Sequence, residues 1–241
     1  MSNHWHGILT DPEGRLPEFL ECFHQFVAKS QNAAFGRQEN VWSCHKTSDV
    51  VLESESDVLS KIAYVIANPT AAGLVHSPHL WPGVITLRLG ERFEETMPNV
   101  FFDPDGELDD EACLEFTRPD IFRGLSDAEL NQRLQEEVLV LVRRARSDIE
   151  QRGGSFLGRN AILRESHFAT PKTRLRPGTL SPSVAAKSKT LRIRALQRII
   201  DFRNDYRVAW LRRRDGMLNV IFPVGTYALR IYGGVACAQP P

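Results

Sequence analysis

Residues 64–75 read Tyr64-Val65-Ile66-Ala67-Asn68-Pro69-Thr70-Ala71-Ala72-Gly73-Leu74-Val75. Just upstream, Leu59, Ile62 and Ile66 recur at helical spacing, and Ser54 with Asp57 three residues later is a helix start signal. The spacing predicts a helix over about Asp57 to Ala67, with those three apolar side chains facing inward. Asn68-Pro69 is expected to interrupt it. Pro69 suits the first position of a second short turn, and Gly73 can close that turn in a left-handed conformation. Tyr64 and Asn68 lie four residues apart and so share a helix face, with Lys61 one turn before Tyr64. Taken singly, Tyr64 reads as a half-buried aromatic and Asn68 as a cap before Pro69.

Further upstream the chain opens Met1-Ser2-Asn3-His4-Trp5-His6. Asn3 to Thr10 reads as a short strand, closed by the turn residues Asp11-Pro12-Glu13-Gly14. On a strand, His4 and His6 point to the same face, because side chains alternate with period 2. Two adjacent imidazoles are a natural pair of ligands for one divalent metal, although such a pair is also simply two solvent-facing histidines. Leu16, Phe19, Leu20, Phe23, Phe26 and Val27 then trace an amphipathic helix that should fade near Gly36. Val41 to Leu52 is expected to hold one or two strands.

A His-apolar-His strand, an amphipathic helix and a helix carrying Tyr-x-x-x-Asn-Pro-x-x-x-Gly-Leu-Val, all within about 75 residues, resemble the single-tyrosine HUH transposases, in particular the REP-associated tyrosine branch. The likeness covers about residues 1–85. It implies an α+β fold, a ferredoxin-like antiparallel sheet with helices of the HUH nuclease type. It also implies that His4, His6 and Asn68 hold Mg²⁺ or Mn²⁺ and that Tyr64 is the nucleophile. The substrate implied is single-stranded DNA, read with a hairpin, and the assembly a homodimer. Attack would leave a 5′-phosphotyrosine and a free 3′-OH, conserving the bond energy for rejoining. Only three residues precede His4, whereas the family places a strand and a helix before its histidine strand. The resemblance therefore implies a fold lacking those two elements, or a reading frame that starts upstream of Met1.

Downstream, Val84 to Leu89 reads as a strand after Pro78, Pro82 and Gly83. Residues 91–124 are acidic and irregular, with a turn at Asp103-Pro104-Asp105-Gly106. Ser126 with Glu129 forms a capping box, and Leu125 with Leu130 a hydrophobic staple. They open a long helix through Leu134, Val138, Leu141, Ala145 and Ile149, stopped by Gly153-Gly154. Residues 166–186 read as a linker. A second long helix is expected over about Val184 to Arg214, and a hairpin over Met217 to Tyr232 turning at Pro223-Val224-Gly225. The domain reading is an N-terminal unit at 1–90 and a mainly helical region at 91–241.

The chain of 241 residues has no net charge, but residues 159–241 carry 16 basic and 4 acidic side chains, and residues 91–158 carry 8 and 17. The basic third fits a polyanion such as the DNA backbone, contacted by Lys61 and by Arg192, Arg198, Arg203, Arg212, Arg213 and Arg214. It equally fits a helix docked on the acidic middle of its own chain. Apolar runs are far too short for a membrane span, and no secretory signal is visible. The scattered cysteines Cys22, Cys44, Cys113 and Cys237 argue against a disulfide scaffold or zinc knuckle and fit a reducing cytoplasm, and the resemblance implies a bacterial, nucleoid-associated setting. Two other functions remain open at this level. A catalytically inactive relative would act as a DNA-binding protein, and a small-molecule hydrolase using His4 and His6 would leave Tyr64 dispensable.

Overall fold

A computed structural model describes residues 4–43, 47–96, 109, 111–166, 169 and 182–240. Among these are six α-helices, two 3-10 turns and six short strands, so the chain is α+β and rich in helix. The helices are α1 (Leu16–Phe35), α2 (Glu55–Ala71), α3 (Asp127–Gln151), α4 (Arg159–Arg164), α5 (Lys189–Arg214) and α6 (Ala228–Gly233). The strands are β1 (Val51–Leu52), β2 (Arg92–Thr96), β3 (Glu111–Glu115), β4 (Val184–Ala185), β5 (Ile221–Phe222) and β6 (Ala236–Cys237). They pair only in twos, β1 with β4, β2 with β3 and β5 with β6. A ferredoxin-like sheet of several strands is not found among the described residues.

The chain forms two compact units, and they do not part near residue 90. The first comprises Met1–Ile8, Leu52–Glu94 and Cys113–Lys187; the second comprises Leu9–Val51, Glu95–Ala112 and Ser188–Pro241. The physical reason is the pairing of α2 with α3. Ala63, Ile66 and Leu134 form one buried cluster, with Leu59, Ile62, Leu87, Val138 and Leu141 packed against it. Val58, Phe122 and Leu130 form a second, joined by Ile8, Leu52, Leu59, Ile62, Leu89 and Leu125. A helix from beyond residue 126 thus completes the core begun by residues 52–94.

The start of α2 is built as its sequence suggests. Ser54 is the N-cap, and its hydroxyl accepts the Asp57 N–H at 3.2 Å. The far end differs. Pro69 sits inside the helix rather than opening a new turn. Its ring lacks a donor, so one intrahelical bond is lost, yet its fixed φ continues the helix. The helix then ends in a Schellman arrangement: Leu74 N–H reaches the Pro69 carbonyl at 3.0 Å and Gly73 N–H the Thr70 carbonyl at 2.9 Å. That closure needs Gly73 at φ 71°, where a side chain would be strained. The segment after α3 returns here, with Leu157 N–H on the Gly73 carbonyl and Gly158 N–H on the Leu74 carbonyl.

Other expectations are corrected. Val84 to Leu89 is not a strand. Its backbone is satisfied by side chains instead: Leu89 N–H donates to Asn131 Oδ1 at 2.9 Å, Asn131 Nδ2 donates to the Leu89 carbonyl at 3.2 Å, and Leu87 N–H donates to Glu91. The acidic stretch supplies β2 and β3, while the turn expected at 103–106 lies outside the described residues, as does most of 166–186. For α3 the capping box of Ser126 and Glu129 is complete, and Leu125 packs by Leu130.

In the second unit, α5 begins at Lys189 rather than Val184, because Ser188 is the residue that caps it. The expected hairpin is a parallel pair: Ile221 faces Ala236 and Phe222 faces Cys237, with α6 crossing between β5 and β6. Ala209, Val220, Phe222 and Val235 form the core there. Gly36 ends α1 as expected, but none of the α1 side chains is fully buried. The polar side of α1 is tied down instead. Glu21 accepts hydrogen bonds from the Tyr227 and Tyr232 hydroxyls, and Arg230 reaches Glu18 at 3.2 Å.

Asp57 gives a stability prediction for the first unit. It is 5% exposed and accepts from the Ser54 hydroxyl at 2.6 Å and from Lys187 N–H at 2.9 Å. Burial pushes its pKa up, but these hydrogen bonds together outweigh burial and hold it below the ordinary carboxylate value. A depressed folded pKa stabilises above the unfolded pKa of about 3.9, and that stability is lost as pH falls through the folded value. Asp57→Ala is expected to cost about 1–3 kcal/mol near neutrality, leaving the Lys187 amide unpaired. Urea melts between pH 7 and pH 3 should show the gap between wild type and variant closing on the acid side.

Candidate active site

His4 to Thr10 is irregular chain rather than a strand, because no described strand pairs with it. Residues 4–8 nevertheless belong to the first unit, where Ile8 packs on the Val58, Phe122 and Leu130 cluster. Asn3 lies outside the described residues. The His4 and His6 rings lie 4.8 Å apart, edge to face. The His6 ring is in turn 6.2 Å from the Tyr64 ring, at 79°. Lys61 Nζ stands 5.4 Å from the centre of the Tyr64 ring. Four of the residues singled out from the sequence therefore share one surface cluster, with the tyrosine 46% exposed on α2.

Asn68 behaves differently. It is 8% exposed, on the buried stretch of α2 that includes Ile66, Ala67, Pro69 and Thr70. It does not cap the helix, since α2 continues to Ala71. It is one turn beyond Tyr64 on the same helix, and its amide oxygen is a competent metal ligand.

The electrostatics suit the pair of imidazoles to a cation. Burial lowers the pKa of His4, and burial together with the neighbouring His4 lowers that of His6. A histidine whose pKa drops below its usual value is neutral at pH 7 and keeps a lone pair to donate. Two imidazoles bound at about 2.1 Å to one ion and about 90° apart have ring centres roughly 4.5 Å apart, near the 4.8 Å found here. Among the described residues no three His, Cys, Asp or Glu side chains gather as a metal site. Among the described residues a third protein ligand would therefore be an amide, a backbone carbonyl or a hydroxyl.

No family model matches this chain, and neither the curated proteins nor the solved structures contain a match to it.

The remaining candidates lie in the second unit. Arg192, Arg198, Arg203, Arg212 and Arg214 are exposed along α5, and Arg213 is half-buried with its guanidinium on the Gly233 carbonyl at 3.2 Å. Arg214 pairs with Asp215 and lies 5.3 Å from the Trp210 ring centre. Only Ala195 and Ala209 of α5 are buried. Phe202, Tyr206 and Trp210 of the same helix were not among the residues singled out from the sequence. Their shared spacing of four residues was the signal available. No described helix is long and apolar enough to cross a membrane.

Proposed function

We propose that this protein is a single-tyrosine DNA endonuclease and strand transferase of the HUH type, acting on single-stranded DNA. The observation that carries the reading is the approach of His6 to Tyr64, residues 58 positions apart whose rings lie 6.2 Å apart. A conjunction of two histidines, a tyrosine and a lysine on one surface is unexpected if each is only a surface residue. The fine structure of the fold is part of the proposal: α2 is the tyrosine helix, and residues 4–8 stand in the place of the histidine strand.

In this mechanism Tyr64 Oη attacks the scissile phosphorus. The phosphorus–oxygen bond to the 3′ side breaks as the bond to Tyr64 forms. The phenol proton leaves, and the departing 3′ oxygen takes up a proton, giving a 5′-phosphotyrosine and a free 3′-OH. A weak phenol nucleophile needs the phosphate charge offset. Lys61, whose Nζ stands over the Tyr64 ring, supplies one positive charge beside the nucleophile. His4 and His6 would hold a divalent ion, Mg²⁺ or Mn²⁺, with Asn68 as the third ligand. Bound there, the ion would polarise the phosphate and stabilise the charge that develops on it. A homodimer and a hairpin in the substrate belong to the same proposal.

Labelled single-stranded DNA taken from the flanks of the gene, incubated with Mn²⁺ and run on a denaturing gel, tests the reading. A covalent adduct is expected, and it should disappear with EDTA. DNA binding without an adduct on any flanking strand would favour the non-catalytic DNA-binding reading. The ligand pair has its own prediction. His4→Ala and His6→Ala should each weaken Mn²⁺ binding by more than the ~10–100-fold that loss of an outer-shell partner costs. Titration of free Mn²⁺ by electron paramagnetic resonance reads this directly, and unchanged affinity in both variants would remove the metal site from the proposal.

A further inference from the structure

Phe202, Tyr206 and Trp210 stand at i, i+4 and i+8 on α5. At 3.6 residues per turn they fall within a stripe about 80° wide, one aromatic per turn. Two of them stay substantially open to solvent, Phe202 at 37% and Trp210 at 42%. Tyr206 is held from behind by Phe222, at 5.7 Å between ring centres, and its ring is 6.3 Å from that of Phe202, tilted by 31°. With Arg203, Arg207 and Leu211 these residues line one open groove. Both arginines are exposed, and no described ion pair engages either one. Arg214 adds a third guanidinium beside Trp210.

Exposed aromatics normally cost solubility, and a stripe of them is most economically explained by what covers it. The covering group here must be both flat and anionic, because the rim is arginine and the floor is aromatic. The segment from residue 159 onward has 16 basic against 4 acidic residues, which selects a polyanion over an apolar peptide. Bases stack on aromatic side chains while arginines hold the phosphates between them.

We propose that the Phe202–Tyr206–Trp210 stripe is a base-stacking platform for single-stranded DNA, with Arg203 and Arg207 holding its phosphates. The choice of DNA over RNA rests on the strand-cleavage reading above; the stacking itself does not. Duplex DNA is disfavoured, because its bases already stack on each other. The platform binds without sequence preference, since every base has a flat face.

The test uses the full chain in EDTA, so that binding is read without cleavage. Fluorescence anisotropy compares a labelled dT 20-mer with an abasic 20-mer of equal charge, a 20-base-pair duplex and a U 20-mer. The dT strand should bind at least about tenfold more tightly than the abasic strand. Trp210→Leu and Phe202→Leu, both at exposed positions, should each weaken dT binding about five- to tenfold and leave abasic binding unchanged. Arg203→Gln should weaken both strands alike and reduce the salt slope by about one. Equal affinity for dT and abasic strands overturns the proposal. So does a tenfold preference for the U strand, which would make the platform an RNA site. A Trp210→Leu variant that changes only the sedimentation coefficient would make the stripe a face between two copies, and again the proposal falls. Tyr64→Phe should bind like wild type in EDTA, and wild-type protein that keeps the base preference but forms no covalent adduct on flanking strands with Mn²⁺ would sink the cleavage reading alone.

Discussion

Tyr64→Phe should abolish the covalent DNA adduct while leaving the fold and strand binding intact. The substitution removes one atom, Oη, and keeps the ring that lies 6.2 Å from His6 and 5.4 Å from Lys61 Nζ. That ring is 46% exposed, so the loss of a hydroxyl should change stability by less than about 0.5 kcal/mol. The effect on the reaction is of another size. Deleting a nucleophile removes the only route to the covalent intermediate, and losses of ~10³-fold or more are the norm when such a group goes. A gel showing equal adduct in both proteins would assign the attack to another residue. Of the other three tyrosines, Tyr227 and Tyr232 donate to Glu21, and Tyr206 packs on Phe222.

Leu134→Ala should be the most damaging single change to the first unit. Leu134 is 1% exposed and closes the α2–α3 seam over Ala63 and Ile66. Ala63 has no exposed surface and is already the smallest side chain that packs, so it cannot swell into the gap. The expected cost is about 2–5 kcal/mol, against a total stability of about 5–15 kcal/mol for a typical domain. Leu134→Met, which keeps the volume, should cost less than about 1.5 kcal/mol. Urea unfolding would show the midpoint falling at constant slope for Leu134→Ala. Because Tyr64 adjoins Ala63, the adduct yield of Leu134→Ala should also fall at temperatures where wild type is unaffected. A midpoint shift no larger than that of Leu134→Met would mean that the seam does not govern α2.

The parts of this molecule that local chemistry governs were legible in advance. Ser54 and Ser126 cap their helices, and Gly36 and Gly73 end theirs, because caps and left-handed glycines act within one turn. The parts decided by distant partners were not. Val84 to Leu89 has the composition of a strand, but Asn131, 42 residues further on, takes both backbone groups of Leu89. Pro69 looks like a helix break when read locally, and only its burial in the packed part of α2 explains why the helix runs on. For the candidate site, helical spacing placed Lys61 beside Tyr64, whereas the approach of His6 to Tyr64 was expected only from the family resemblance. Asn68 lies one turn beyond Tyr64 on α2, but it is buried where Tyr64 is exposed, and that difference depends on packing that no spacing rule describes.

The interleaving of the two units carries a consequence for how the chain is made. Synthesis runs from the N-terminus, and α2 leaves the ribosome long before α3, whose Leu130 and Leu134 complete the core beneath it. Until residue 134 has emerged, Ala63 and Ile66 face water, and Tyr64 rides on a helix with no packed underside. A fragment ending near residue 90 would be frozen at that stage, with every residue of the candidate site present and nothing to hold them in register. Nascent chains stalled at successive lengths should therefore acquire protease resistance around Tyr64 only once the whole of α3 has cleared the exit tunnel.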